Sequence, residues 1–185
     1  MLFVVAGPSG SGKSTFIKLV LEFIDNAKVI DVDVCTPLLR IYEKSLGRIL
    51  IDIESFNQKF RNSEYSIVNN YDDNNYGYKF PLDCNKIKSV YLLDYPGEYP
   101  ECPDLINYNW KGILILPPNE DTLIERLKKC NRENRICSAI NEYNECINDI
   151  ITQKLDKDKW FIVYNNSRED LINGLKEIFK TNVDL

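Results

Sequence analysis

The hydrophobic positions along this chain fall into short apolar runs separated by stretches with helical spacing. Leu2-Phe3-Val4-Val5-Ala6 is a continuous apolar run and predicts a buried strand. After a glycine-rich turn, Thr15 to Ile24 places Phe16, Leu19, Val20 and Phe23 on one helical face. Lys28 to Val32 predicts a second strand, which Thr36-Pro37 breaks. Residues 38 to 53 carry Leu38-Leu39 and Ile49-Leu50-Ile51 but no single period. Ile53 to Phe60 reads as a short helix with Phe56 and Phe60 four apart, and Tyr65 to Val68 as a further strand. Asn69 to Gly77 is polar and rich in turn formers, so it reads as a loop.

The second half is more regular. Ser89 to Asp94 predicts a buried strand ending in an acid, followed by the turn Tyr95-Pro96-Gly97. Gly112 to Leu116 predicts another, stopped by Pro117-Pro118. Asn119 is the expected N-cap of a helix lined by Leu123, Ile124 and Leu127. Charged residues dominate from Lys128 to Arg135. A second helix is expected from about Asn134 into the 150s, with Ile136, Ile140, Tyr143, Ile147 and Ile151 on one face. Trp160 to Tyr164 makes the last strand, and Asn165-Asn166-Ser167 offers a cap for a final helix carrying Leu171, Leu175, Ile178 and Phe179. Strands alternating with helices, most of them apolar throughout, imply a parallel sheet covered on both faces. No repeat or linker interrupts the pattern.

The 185 residues suggest one domain with room for a good core. The apolar fraction of 44% and charged fraction of 28% are those of an ordinary soluble globular chain. A net charge of −5 argues against a broad nucleic-acid-binding surface. Histidine is absent, which removes histidine base catalysis, catalytic triads and His-ligated metals together. The six cysteines, Cys35, Cys84, Cys102, Cys130, Cys137 and Cys146, form no C-x-x-C pair and are expected to be free buried thiols in a reducing compartment. The chain enters its first strand at residue 2, leaving no room for a signal peptide, and no apolar run approaches a membrane span. A cytoplasmic protein is expected.

The candidate chemistry sits between the first strand and the first helix. Gly7-Pro8-Ser9-Gly10-Ser11-Gly12-Lys13-Ser14-Thr15 fits the pattern G-x-x-x-x-G-K-[ST] in full, in the strand–loop–helix context that pattern requires. Glycines let the backbone turn so that successive N–H groups face an anion, and the helix start adds free donors and the positive dipole end. Gly7, Ser9, Gly10, Ser11, Gly12, Lys13, Ser14 and Thr15 are therefore expected to cradle a nucleoside triphosphate. Lys13 would reach the outer phosphates and the Ser14 hydroxyl would ligate Mg²⁺. Asp94 ends a buried strand where ligands collect in open α/β sheets, and would hold water around that Mg²⁺. Asp31 and Asp33 occupy a similar place after the second strand. Tyr71, Tyr76 and Tyr78 are of the type that stacks on a base. Asp94-Tyr95-Pro96-Gly97 also fits D-x-x-G, the switch pattern of small GTPases, but the guanine-reading Asn-Lys-x-Asp is absent.

Several segments together resemble guanylate kinases. Ile113-Leu114-Ile115-Leu116-Pro117-Pro118, then Leu123 and Glu125-Arg126-Leu127, resembles the family's strand-Pro-Pro-helix segment. Gly-Pro-Ser-Gly-x-Gly-Lys-Ser-Thr is the family's favoured loop, Tyr76-Gly77 resembles its Asn-Tyr-Tyr-Gly segment, and Phe161 to Asn166 resembles its last strand. The order and spacing agree over nearly the whole chain. The resemblance implies an α/β, three-layer P-loop NTPase fold with a mostly parallel sheet, helices on both faces, a small acceptor-binding insertion and a lid. The core would span about 1–34 and 86–185 of a single domain, the acceptor region about 35–85 and the lid about 128–140.

It further implies an ATP- and Mg²⁺-dependent nucleoside monophosphate kinase. Lys13, Arg126, Arg132 and Arg135 would act on the transferring phosphoryl group. Arg40 would anchor the acceptor phosphate, with Asp72, Tyr76 and Asp94 on the acceptor side. The departures concentrate there. The family's first phosphate-binding arginine falls at Pro37, its guanine-reading glutamate at Ile67, its small hydroxyl residue at Tyr78, and one lid arginine at Cys130. Asp72 or Asp73 could supply the missing acid. The expected partners are ATP and a phosphorylated acceptor, with no nucleic acid or membrane, in a monomer or homodimer. The alternatives are a kinase of a non-nucleotide small molecule, a GTPase-like switch, and a protein-interaction module that has lost catalysis.

Overall fold

The computed structural model describes residues 1–36, 46–71, 74–81, 89–95 and 105–182. The chain divides into two compact units, Met1–Phe3 with Asn26–Trp110, and Val4–Asp25 with Lys111–Leu185. Strand β1 (Leu2–Ala6) runs from one into the other and is buried along its whole length.

In the first unit, β2 (Ala27–Val29) lies parallel to β7 (Val90–Asp94), with Lys28 opposite Tyr91. The Tyr91 N–H donates to the Met1 carbonyl, which fixes the order β2-β7-β1. A second, four-stranded sheet follows the order β4-β3-β6-β5, from β3 (Val32–Cys35), β4 (Arg48–Leu50), β5 (Ile67–Tyr71) and β6 (Asn74–Tyr78). It is mixed. β3 and β4 are parallel, whereas β6 is antiparallel to both β3 and β5. Helix α2 (Ile53–Arg61) is capped by Asp52, whose carboxylate accepts from the Ser55 N–H at 2.8 Å.

Three expectations change here. The single strand expected over 28–32 is two strands, because the chain changes partner at Ile30–Asp31. The Ile30 N–H donates to Leu92 of β7, and the Val32 N–H donates to Gly47 beside β4. The strand expected from Tyr65 begins at Ile67. The loop expected over Asn69–Gly77 is instead most of an antiparallel pair, with Asn69 opposite Tyr76 and Asn70 opposite Asn75. Asparagine disfavours strands only weakly, and β6 completes a ladder on both of its sides.

In the second unit the order is β1-β8-β9, with β8 (Trp110–Leu116) parallel to β9 (Trp160–Tyr164). Helices α1 (Lys13–Phe23) and α5 (Arg168–Asn182) pack together. Leu171, Leu175, Ile178 and Phe179 are buried as the spacing predicts. On α1 the buried set is Phe16, Ile17, Leu19 and Val20, while Phe23 is exposed. Ile17 joins the buried face, and Phe23 is the last residue of the helix.

Asn119 caps α3 (Glu120–Lys129) by accepting from the Thr122 N–H at 2.9 Å. A 3₁₀ turn, Glu133–Arg135, leads into α4 (Ile136–Ile151). The fully buried residues on α4 are Ala139 and Cys146; of the expected face, Ile136, Ile140, Tyr143 and Ile147 are half-buried and only Ile151 is exposed. Ile136 and Tyr143 pack against Leu123, Leu127 and Ala139. Among the described cysteines, Cys146 is buried and Cys35 half-buried, but Cys130 and Cys137 are exposed, contrary to the expected buried thiols. No helix among the described residues is long and apolar enough to cross a membrane.

Candidate functional site

The loop between β1 and α1 has the backbone that its glycines predict. Gly7, Gly10 and Gly12 all have positive φ, and the Ser11 N–H donates to the Pro8 carbonyl at 3.1 Å. Helix α1 starts at Lys13, where the Phe16 N–H donates back to the Gly12 carbonyl. Gly12 has φ 107°, and a Cβ there would stand 2.1 Å from Asn165 Nδ2. Glycine is therefore required twice over, by conformation and by close approach.

Asn165 and Arg126 brace the loop from behind. The buried Asn165 amide donates to the Ser11 carbonyl at 2.7 Å, and its own N–H donates to the Leu116 carbonyl at the end of β8. Arg126 on α3 donates to the Asn165 carbonyl at 2.8 Å and to the Ser11 carbonyl at 3.4 Å. Burial pushes the guanidinium's pKa down, yet an arginine remains charged at any working pH. Sequence reading placed Arg126 on the transferring phosphoryl. Here one donor on Nη1 and one on Nη2 hold two backbone carbonyls that brace the loop.

Lys13 folds over the loop, with Nζ donating to the carbonyls of Gly7 at 2.6 Å and Pro8 at 3.0 Å. The Ser9 N–H donates to Glu142 Oε2 at 2.8 Å, and Arg135 Nη2 donates to Ser9 Oγ at 3.4 Å. The wholly buried Ser11 hydroxyl has no hydrogen-bond partner among the described residues. A buried orphan hydroxyl inside a ring of positive-φ glycines suits a polar guest. Beside the loop lies a cavity of about 350 Å³, lined among others by Gly10, Gly12, Thr15, Arg126, Arg132 and Arg168. The second unit thus brings together the loop, Arg126, Arg132 and Arg135. Glu142 was not singled out by sequence reading, and Asn165, just after β9, was read only as a helix cap and as part of the resembling last strand.

The first unit holds the remaining candidates. Asp94, at the carboxyl end of β7, forms an ion pair with Arg48 Nη2 at 2.5 Å. The buried Tyr78 hydroxyl donates to the Asp94 carbonyl at 3.3 Å, and burial, reinforced by the Asp94 charge, pushes its pKa up. Asp33 is buried and accepts from Lys59 Nζ at 2.7 Å and from the Tyr65 hydroxyl at 2.9 Å. Burial chiefly, and that carboxylate next, push the Tyr65 phenol up. Tyr76 is buried on β6, and Asp31 is exposed. Arg40, Asp72, Asp73 and Gly97 lie outside the described residues. Among the described residues no three acidic or thiol groups converge as a metal site.

Arg48 was missed because one arginine in an ambiguous stretch carries no pattern. Replacing it with Ala should leave Asp94 without its partner and cost about 2 kcal/mol. At about 2–4 °C per kcal/mol for a chain of this size, thermal melting should fall by roughly 4–8 °C. In a cycle with Asp94→Asn the two losses should couple by about 1 kcal/mol or more, and strict additivity would show the pair to be idle.

No family model matches the chain. Guanylate kinase of Mycoplasma genitalium is 29% identical over 181 residues, covering 96% of this chain and 74% of that protein. Guanylate kinase of Mycoplasmoides gallisepticum is 26% identical over 182 residues, covering 90% and 93%. The crystal structure of guanylate kinase from Anaplasma phagocytophilum matches the whole chain and 86% of its own, with a TM-score of 0.66 at 18% identity. The chain is guanylate-kinase-like. The structural match shows the fold, an α/β P-loop NTPase fold with a mostly parallel central sheet. In this guanylate-kinase-like chain the phosphate-loop motif is complete, and the departures at Pro37, Ile67, Tyr78 and Cys130 lie outside that motif in sequence.

Proposed function

We propose that the chain transfers the γ-phosphoryl group of MgATP to a nucleoside monophosphate, with GMP as the acceptor. The observation that carries this is the intact phosphate loop, with Lys13 folded over it and Asn165 and Arg126 bracing it from behind. Relatives named guanylate kinase support the acceptor class.

Phosphoryl transfer asks for positioning and for positive charge around the moving group rather than for covalent chemistry. Loop N–H groups orient the phosphates, and Lys13 turns from the Gly7 and Pro8 carbonyls onto the outer ones. Ser14 is the residue that would hold Mg²⁺, which would supply charge neutralisation at the outer phosphates. Asp94, oriented by Arg48, would hold its water. Arg132 and Arg135, on a lid of about residues 128–140, add charge and exclude water. Arg126 is a positioning residue. Arg40 anchors the acceptor phosphate, and Asp72 with Tyr76 lies on the acceptor side. With isoleucine at position 67 and tyrosine at 78, guanine is read by other groups than in the family.

Coupled ADP release tests this, with MgATP against GMP, dGMP, AMP, CMP, UMP and dTMP. The expected result is strong stimulation by GMP and weak stimulation by the rest. Stimulation by another monophosphate would keep the reaction and change the base. Silence with all six, while ATP still binds, would remove the nucleotide acceptor. No observation favours the GTPase switch, whose guanine-reading Asn-Lys-x-Asp is absent from the sequence.

A further inference from the structure

Glu142 is an acid in a place built for anions. It sits on α4, beyond the proposed lid, and its carboxylate accepts the Ser9 N–H of the phosphate loop at 2.8 Å. Arg135, at the start of the same helix, reaches the Ser9 hydroxyl. A carboxylate on a loop amide has the geometry of a bound phosphate oxygen, and a charge-assisted bond of this kind is about twice as strong as a neutral one. The Gly7–Ser9 side is also where Lys13 Nζ rests, and lysine at this motif position serves the outer phosphates.

We propose that Glu142 is an affinity-setting residue: an internal anion that holds the outer-phosphate edge of the loop and must be displaced when a triphosphate arrives. The proposal rests on the nucleotide-binding reading of the loop. Two anions cannot share one N–H donor, and like charges a few ångströms apart in a partly buried site repel strongly. The burden therefore falls on nucleotides according to how far their phosphates extend. ATP meets Glu142, whereas AMP, which lacks outer phosphates, does not. Apparent affinity for ATP is lowered by the fraction of molecules in which Glu142 occupies the edge. Arg135 is released from Ser9 Oγ in the same step, which frees a lid cation for the incoming phosphate.

The test is calorimetric titration of the full chain with MgATP and separately with AMP, in wild type, Glu142→Gln, Glu142→Ala and Lys13→Ala. Glutamine keeps the shape and an acceptor oxygen but removes the charge. The expected result is about tenfold tighter MgATP binding in Glu142→Gln, and AMP binding unchanged within about twofold. Without nucleotide both Glu142 variants should melt lower than wild type, and MgATP should raise their melting temperatures by more than it raises that of wild type. Unchanged or weaker MgATP binding in both variants, with binding still dependent on Lys13, overturns the role of Glu142 and leaves the loop reading standing. Equal tightening of AMP overturns it too, since the effect would then not follow the outer phosphates. MgATP binding absent from wild type and from both Glu142 variants overturns both readings.

Discussion

Replacing Lys13 with Ala should lower phosphoryl transfer from MgATP by about 10³-fold, a loss of ~4 kcal/mol of transition-state stabilisation. The size follows from where the charge is placed. Lys13 Nζ sits within the loop, 2.6 Å from the Gly7 carbonyl, so its charge is already held at the loop where the outer phosphates would bind. Such preorganised charge in a partly dry site is worth far more than the same charge in water. The substitution should cost the fold little. The Gly7 and Pro8 carbonyls each lose a donor that water can replace, at about 1 kcal/mol in all, which shifts melting by roughly 2–4 °C. Steady-state turnover beside a melting curve separates the two effects. Turnover within a few-fold of wild type in a well-folded variant would remove Lys13 from the chemistry.

The parts of this molecule that were legible in the sequence are those whose causes lie close together along the chain. The phosphate loop is nine consecutive residues, and the apolar β1 and the amphipathic α1 flank it directly. The Asn119 cap acts on Thr122, three residues on, and the final helix carries its own buried stripe. What stayed hidden depends on distant partners. Asn165 meets Ser11 across 154 positions and Glu142 meets Ser9 across 133, so each reads locally as an ordinary polar residue. Asp33 drew notice as a strand-end acid, but only the fold supplies Lys59 and Tyr65 as its partners. The Asn-rich β5–β6 pair has the same explanation. Its composition favours turns, and the ladder formed with β3 overrides that preference.

Gly7 gives the largest expected effect on stability. Its φ is 132°, in the half of backbone space that other residues enter only with strain, at about 1–3 kcal/mol. An added Cβ would stand 2.2 Å from the carbonyl oxygen of Ile115, which belongs to the backbone of β8 and cannot rotate away. Strain and overlap together should make Gly7→Ala cost about 3–5 kcal/mol, a large share of the roughly 5–15 kcal/mol that holds a domain folded. Melting should fall by about 10 °C or more, and MgATP affinity should drop at least about tenfold as the loop is pushed off β8. Gly10→Ala is the matched control. Its φ of 84° is also positive, but its Cβ would meet only side-chain atoms of Leu123 and Leu127, at 3.2 Å. Those side chains can yield by a few tenths of an ångström, so Gly10→Ala should lose less than half as much. If the two variants melt together, left-handed strain alone sets the cost and the contact with Ile115 contributes nothing. A larger loss in Gly7→Ala instead identifies the β8 carbonyl as the wall against which the phosphate loop is shaped.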